Sequence, residues 1–430
     1  MNSWRASASQ SLPGPDDITR IVLANGIVVL CRANFSSQSV VISGYLDCGS
    51  LSDPDQKLGL ADFTAQALMR GTERHTFQQI YDMLEEAGAS LGFGASVHTT
   101  SFNGRSLAED LPMLLGLLAE TVQEPAFPPE QIERLRAQLL TGLAVRAQDT
   151  RDMASLTFDQ LLYEGHPYSR PEDGFTETIQ AITREDLIDF HRRNYGPRGM
   201  VIVIVGAVEP KRAVDLAAEA LGAWQNPLQE KTPPLPPYKP PLQSVSRHVL
   251  IPGKSQADLV MGGPGPERRS ADYMAASLGN NILGQFGMYG RIGDVVREQS
   301  GLAYYAYSSL NAGIGPGSWE VSAGVNPANL GKTIELIQQE IRRFVTEPVT
   351  PEELADSQAN YIGRLPLMLE SNAGMAGALL NLERYDLGLD YYRRYASLVR
   401  EVTPEWVLEV AQRYLNPETL VVATAGPQEG

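Results

Sequence analysis

The chain has 430 residues, 43% hydrophobic and 20% charged, with 35 basic against 51 acidic side chains and a net charge of −16. That length holds two or three domains with full cores, and that composition excludes extensive disorder. The acidic balance, with no Lys/Arg run to offset it, argues against nucleic acid as a partner, and no apolar run approaches the roughly 18 residues of a membrane span.

The opening M-N-S-W-R-A-S-A-S-Q-S-L-P-G lacks the apolar core of a secretory leader, so a cytoplasmic location is expected. Residues 18–32 and 39–48 alternate in polarity and read as strands, with Asn25-Gly26 as a hairpin tip. Cys31 and Cys48, the only cysteines, fall within them and read as buried thiols. Helices are expected from about 58 to 70 and from 77 to 87, strands near 90–102, then a long helical stretch. Strands and helices in blocks, without strict alternation, predict an α+β fold: mixed or antiparallel sheet with helices packed on one face.

Residues 59–72 read G-L-A-D-F-T-A-Q-A-L-M-R-G-T. Asp62, Ala65 and Gln66 stand at i, i+3 and i+4 and share one helical face. A hydrolytic zinc helix of the order H-x-x-E-H needs two imidazoles there to hold the ion and a carboxylate to take a proton from bound water. The three positions instead offer an anion, a methyl group and a neutral amide. None of the five histidines (75, 98, 166, 191, 248) forms a pair at metal spacing. No metal is expected in this chain.

The chain also repeats itself. I-T-R-E-D-L-I-D-F-H-R-R-N-Y-G-P-R-G-M-V-I-V-I-V-G (182–206) is answered by V-T-P-E-W-V-L-E-V-A-Q-R-Y-L-N-P-E-T-L-V-V-A-T-A-G (402–426). Thr183/Thr403, Pro197/Pro417 and Gly206/Gly426 share one spacing: each copy is a capped helix, a Pro-containing turn and a buried strand. The stripe Leu111, Leu114, Leu118, Val122 before Glu124-Pro125 recurs as Ile334, Ile337, Ile341, Val345 before Glu347-Pro348. Two homologous repeats, 1–225 and 244–430, are therefore expected on either side of a stiff proline-dense linker at 226–243.

In the second repeat, Met261-Gly262-Gly263-Pro264-Gly265-Pro266 reads as a turn, and Gly313, Gly315 and Gly317 as a hairpin loop. Between them lies G-R-I-G-D-V-V-R-E-Q-S-G-L-A-Y-Y (290–305). Alternation sets Tyr305 on the face opposite Tyr304, where it is expected to pack.

The 59–72 frame resembles the M16 (pitrilysin-like, inverzincin) metallopeptidases, whose motif is G-L-A-H-F-x-E-H-x-x-F-x-G-T. Gly59, Leu60, Ala61, Phe63, Gly71 and Thr72 match it; the chemical positions Asp62, Ala65 and Gln66 do not. The family's third ligand is a Glu further along, but the stretch around Gly142 has no carboxylate, the nearest being Glu133 and Asp149. The 290–305 segment is similar to the family's [SR]-x-L-x-x-x-[LV]-R-E-x-x-G-L-A-Y. There the resemblance implies that Arg297 and Tyr304 reach the peptide bound at zinc. It also implies an M16/LuxS-like metallohydrolase fold and an edge strand that pairs with substrate, here at Gly94, Ala95 and Ser96. That stretch, G-F-G-A-S-V, lacks the family's N-A-x-T, and its glycines weaken a strand. The resemblance thus implies a non-catalytic subunit of a heterodimer that encloses peptides in a shared chamber. The partner, an H-x-x-E-H chain of similar size, would hold the zinc. The alternative it leaves is an inactive scaffold or peptide-binding homodimer, as similar non-peptidase relatives serve in respiratory complexes.

Overall fold

The computed structural model describes residues 12–285 and 290–427. Six strands, β1 (Thr19–Val22), β2 (Val28–Ala33), β3 (Ser39–Leu46), β4 (Ser90–Ala95), β5 (Thr100–Leu107) and β6 (Val201–Gly206), form one sheet in the order β1-β2-β6-β3-β5-β4. Five more, β7 (Val245–Leu250), β8 (Ala257–Gly265), β9 (Ala303–Asn311), β10 (Gly317–Val325) and β11 (Val421–Gly426), form a second in the order β7-β11-β8-β10-β9. Each sheet has one parallel pair, β2 with β6 and β7 with β11, and is otherwise antiparallel. The duplicated topology and mixed sheets are the α+β architecture that the sequence predicts.

The repeated stripes are the helices Leu111–Gln123 and Leu330–Thr346. Leu111, Leu114, Leu118 and Val122 are buried in one core; Ile337, Ile341 and Val345 are buried in the other. Asn25-Gly26 does turn a hairpin, Gly26 taking a positive φ of 93°. Cys31 and Cys48 are free and buried, and burial pushes both thiols up to about 12, which leaves them unreactive. Residues 222–244 contain no helix or strand, and no helix among the described residues is long and apolar enough to cross a membrane.

One reading is overturned. Residues 261–265 are not a turn but the end of β8. Their glycines serve close strand packing: a Cβ on Gly262 would stand 2.2 Å from the Trp319 carbonyl oxygen on β10. Pro264 is tolerated because β11 ends its pairing at Val421 opposite Gly262, leaving one flank of Pro264 without a ladder.

The two compact units do not follow the repeat boundaries. One takes the chain up to Leu143, Pro171–Pro234 and Pro366–Arg393; the other takes Ala144–Arg170, Leu235–Leu365 and the chain from Arg394 on. Each repeat therefore contributes a helix to the other repeat's sheet. In the second unit, Ala154, Phe158 and Leu162 of the helix Thr150–Leu162 pack on Ile251, Val260, Val421, Ala423 and Ala425. In the first, the helix Asn372–Arg384 lies against β3 and β6. That second cover explains why all six residues of β6 are buried although only alternate ones, Ile202 and Ile204, belong to the main core.

Candidate functional site

The degenerate helix is Leu60–Ala67. Gly59 opens it with φ 92°, a conformation that a side chain would strain. Asp53 supplies the cap from six residues upstream: its carboxylate accepts the Gly59 and Ala61 amides, each at 2.9 Å. Asp53 is buried, and burial pushes its carboxyl up to about 7 against the opposing pull of these backbone donors. Asp53→Ala strands those amides and is expected to cost about 1–3 kcal/mol of stability, measured by urea unfolding. A change below about 0.5 kcal/mol would refute the cap.

On this helix Asp62 and Gln66 are bound to each other, Gln66 Nε2 donating to Asp62 Oδ2 at 2.7 Å. Asp62 Oδ1 accepts the Ala95 amide at 3.4 Å. Burial raises the Asp62 carboxyl, opposed by those two bonds and assisted by the charge of Asp173. Ala65, where the zinc motif would place its proton-accepting carboxylate, is wholly buried.

The possible third donors are engaged elsewhere. Glu133 pairs with Arg136 at 3.1 Å, and Asp149 caps the helix Thr150–Leu162 by accepting the Asp152 amide at 2.9 Å. Gly142 lies within the helix Pro129–Arg146. Among the described residues no group of three or more His, Cys, Asp or Glu side chains could hold a metal ion. One oxygen donor, a methyl and an amide already spent on that donor do not fit zinc.

Gly94 and Ala95 end β4, the edge strand of the first sheet, and Ser96 opens the turn to β5. Ser96 donates its amide to the Thr99 carbonyl at 2.8 Å, and Arg384 Nη2 steadies the turn by donating to Thr99 Oγ1 at 2.7 Å. The space beside Gly92 and Gly94 is open. The Ala95 amide, however, is already given to Asp62, so it is not available to a pairing peptide. The structure thus brings Asp62 and Ala95 together by a bond that the sequence did not reveal.

In the second repeat, Gly290–Gly293 makes one helical turn and Asp294–Gln299 continues it as a π-helix, a wide coil that recurs at functional sites. Gln299 Nε2 donates to Asp294 Oδ2 at 2.6 Å and Ser300 Oγ to the Val295 carbonyl at 2.8 Å, both five residues apart, the spacing that a π-turn brings together. Val296 is buried, whereas Arg297 is partly exposed, its Nε 3.8 Å from Glu298. Gly301, at φ 63°, then turns the chain: its amide returns to the Arg297 carbonyl at 2.9 Å and that of Leu302 to Val296 at 3.1 Å. β9 follows at once, and its register against β10 slips there. Tyr305 faces Gly324, but Val325 faces Ala303, so Tyr304 is the additional residue of a β-bulge. Tyr304 is 62% exposed.

Tyr305 does pack. Its hydroxyl donates to Asp258 on β8 and accepts from Arg151 Nε at 3.1 Å, and the Arg151 guanidinium lies 4.2 Å from its ring centroid. Asp258, 1% exposed, also receives Thr150 Oγ1 and, at 3.0 Å, Gln256 Nε2. The one sequence signal for this network was a lone carboxylate in the apolar run A-D-L-V-M, which in a sheet requires donors around it.

The duplicated α+β chain, with two mixed sheets and their covering helices, has the two-domain architecture of the M16 peptidases. Residues 28–171 match the family described as insulinase (peptidase family M16), and residues 181–361 match the peptidase M16 inactive domain. The chain belongs to the M16 peptidase family. An uncharacterized zinc protease of Mycobacterium leprae is 27% identical over 406 residues, 93% of this chain and 89% of that protein. The non-peptidase homolog YmxG of Helicobacter pylori is 24% identical over 359 residues, 83% of this chain and 81% of that one. Among solved structures, the peptidase M16 inactive domain of Pseudomonas fluorescens superposes with a TM-score of 0.89 at 28% identity, covering 96% of this chain and 98% of that one.

Proposed function

We propose that this chain is the non-catalytic subunit of a two-chain M16 endopeptidase in the cytoplasm. It encloses peptide in a chamber shared with an H-x-x-E-H partner of similar size, which holds the zinc. This chain's own contribution is Arg297 and Tyr304. Attack on a peptide carbonyl builds negative charge on oxygen, and a guanidinium and a phenol are suited to donate hydrogen bonds to it. The observation that carries the reading is the contrast within one chain. The proton-acceptor position is a fully buried alanine, while Tyr304 stands exposed on a bulge beside the turn that holds Arg297.

The name of the Helicobacter pylori relative favours a second reading, a scaffold or peptide-binding homodimer with no part in hydrolysis. Purification of the tagged chain from its native host separates the two. The first reading expects a co-purifying H-x-x-E-H protein, about one zinc per pair, and peptide cleavage that the chain alone lacks. Self-association without such a protein would establish the second reading instead.

A further inference from the structure

We propose that Tyr305, anchored by Asp258 and Arg151 and lying across Gly324, is a positioning residue that holds the β9 bulge and so presents Tyr304. The inference rests on the reading of Tyr304 as a donor to bound peptide. A bulge residue has no ladder partner opposite it, so the residues on either side fix its direction. On the N-terminal side the fixture is Gly301, whose turn ties β9 to the Arg297 carbonyl. On the C-terminal side it is Tyr305. Its hydroxyl joins a buried carboxylate on β8 and a guanidinium from the helix Thr150–Leu162. Burial, reinforced by Asp258, raises the phenol's pKa, which keeps it protonated and a donor to that carboxylate.

Gly324 completes the arrangement. A Cβ there would stand 2.4 Å from Tyr305 Cε1, so the ring can take this place against β10 only because residue 324 has no side chain. If the hydroxyl bond is lost or the ring displaced, the register between Tyr305 and Gly324 is no longer held at the place where β9 slips. Tyr304 would then change direction while the buried core beneath, including Ala306 and Val325, stays closed.

The test uses the complex purified through a tag on this chain, with a quenched fluorogenic peptide as probe. Tyr305→Phe and Gly324→Ala, one removing the bond and the other moving the ring, are each expected to lower kcat about tenfold with KM nearly unchanged. Tyr304→Phe combined with Tyr305→Phe is expected to be no slower than Tyr304→Phe alone, because both act through one hydroxyl. Additive losses, or normal turnover in Tyr305→Phe while Tyr304→Phe is slow, overturn the positioning role. If Tyr304→Phe itself turns over normally, the reading of Tyr304 fails instead. Amide exchange of residues 303–305 in the isolated chain then decides the anchor by itself: acceleration in Tyr305→Phe supports it, and no change overturns it.

Discussion

Tyr304→Phe and Arg297→Ala will each slow peptide hydrolysis by the assembled complex by about 10²–10³ in kcat. Removing a donor aimed at developing oxyanion charge acts on the transition state, so kcat and kcat/KM should fall together. Neither change should unsettle the fold. Tyr304 is 62% exposed and the Arg297 side chain keeps about a third of its surface in water, so each change removes little buried contact. Neither side chain is itself among the groups that hold this backbone. The π-turn and Gly301 are closed by their own hydrogen bonds, and the bulge follows within a dozen residues. Equal turnover by both variants and the unmodified complex would remove this chain from the chemistry.

The second large effect is on acid stability. His191 Nε2 donates to the Val122 carbonyl at 2.9 Å, and its ring meets Phe127 edge-on at 5.9 Å and Tyr195 at 4.8 Å. Burial lowers its pKa from 6.5 to about 4, opposed by the Val122 bond. The unfolded chain therefore takes up this proton at a higher pH than the folded one. The contribution is full above pH 6.5 and is lost as pH falls toward 4, up to about 3 kcal/mol in all. The second repeat suggests the replacement: Gln412 Nε2, one position beyond Ala411, the counterpart of His191, donates at 2.9 Å to the carbonyl of Val345, the counterpart of Val122. His191→Gln should keep the bond and flatten the fall in melting temperature between pH 6.5 and 4. An unchanged slope would show that His191 is not the group responsible.

Sequence pattern revealed those parts of the molecule that depend on near neighbours. The stripe Leu111, Leu114, Leu118, Val122, the capped helix after Thr183 and the Asn25-Gly26 hairpin are each set by residues a few positions apart. The Asp62, Ala65, Gln66 face was equally legible, since helical geometry alone brings those three together. The errors arose where partners are distant. The Gly-Pro run at 261–266 has the local character of a turn, but close approach of β10 draws it into a strand. The bulge at Tyr304 exists only as a mismatch between β9 and β10, and neither strand shows it alone. The amphipathic helix Thr150–Leu162 declares an apolar face without saying which sheet receives it. Consecutive elements usually pack together, and here they do not.

That exchange of helices bears on how such a gene can change. A break at the proline-dense stretch looks harmless in the sequence, yet each fragment would lack the cover for one of its own sheet faces. The uncovered residues would be Val201, Val203 and Val205 in one fragment and Val260, Val421, Ala423 and Ala425 in the other. Neither product could mature without its sibling, so fission would yield an obligate pair and not two independent proteins. Neither repeat alone contains a complete two-faced sheet.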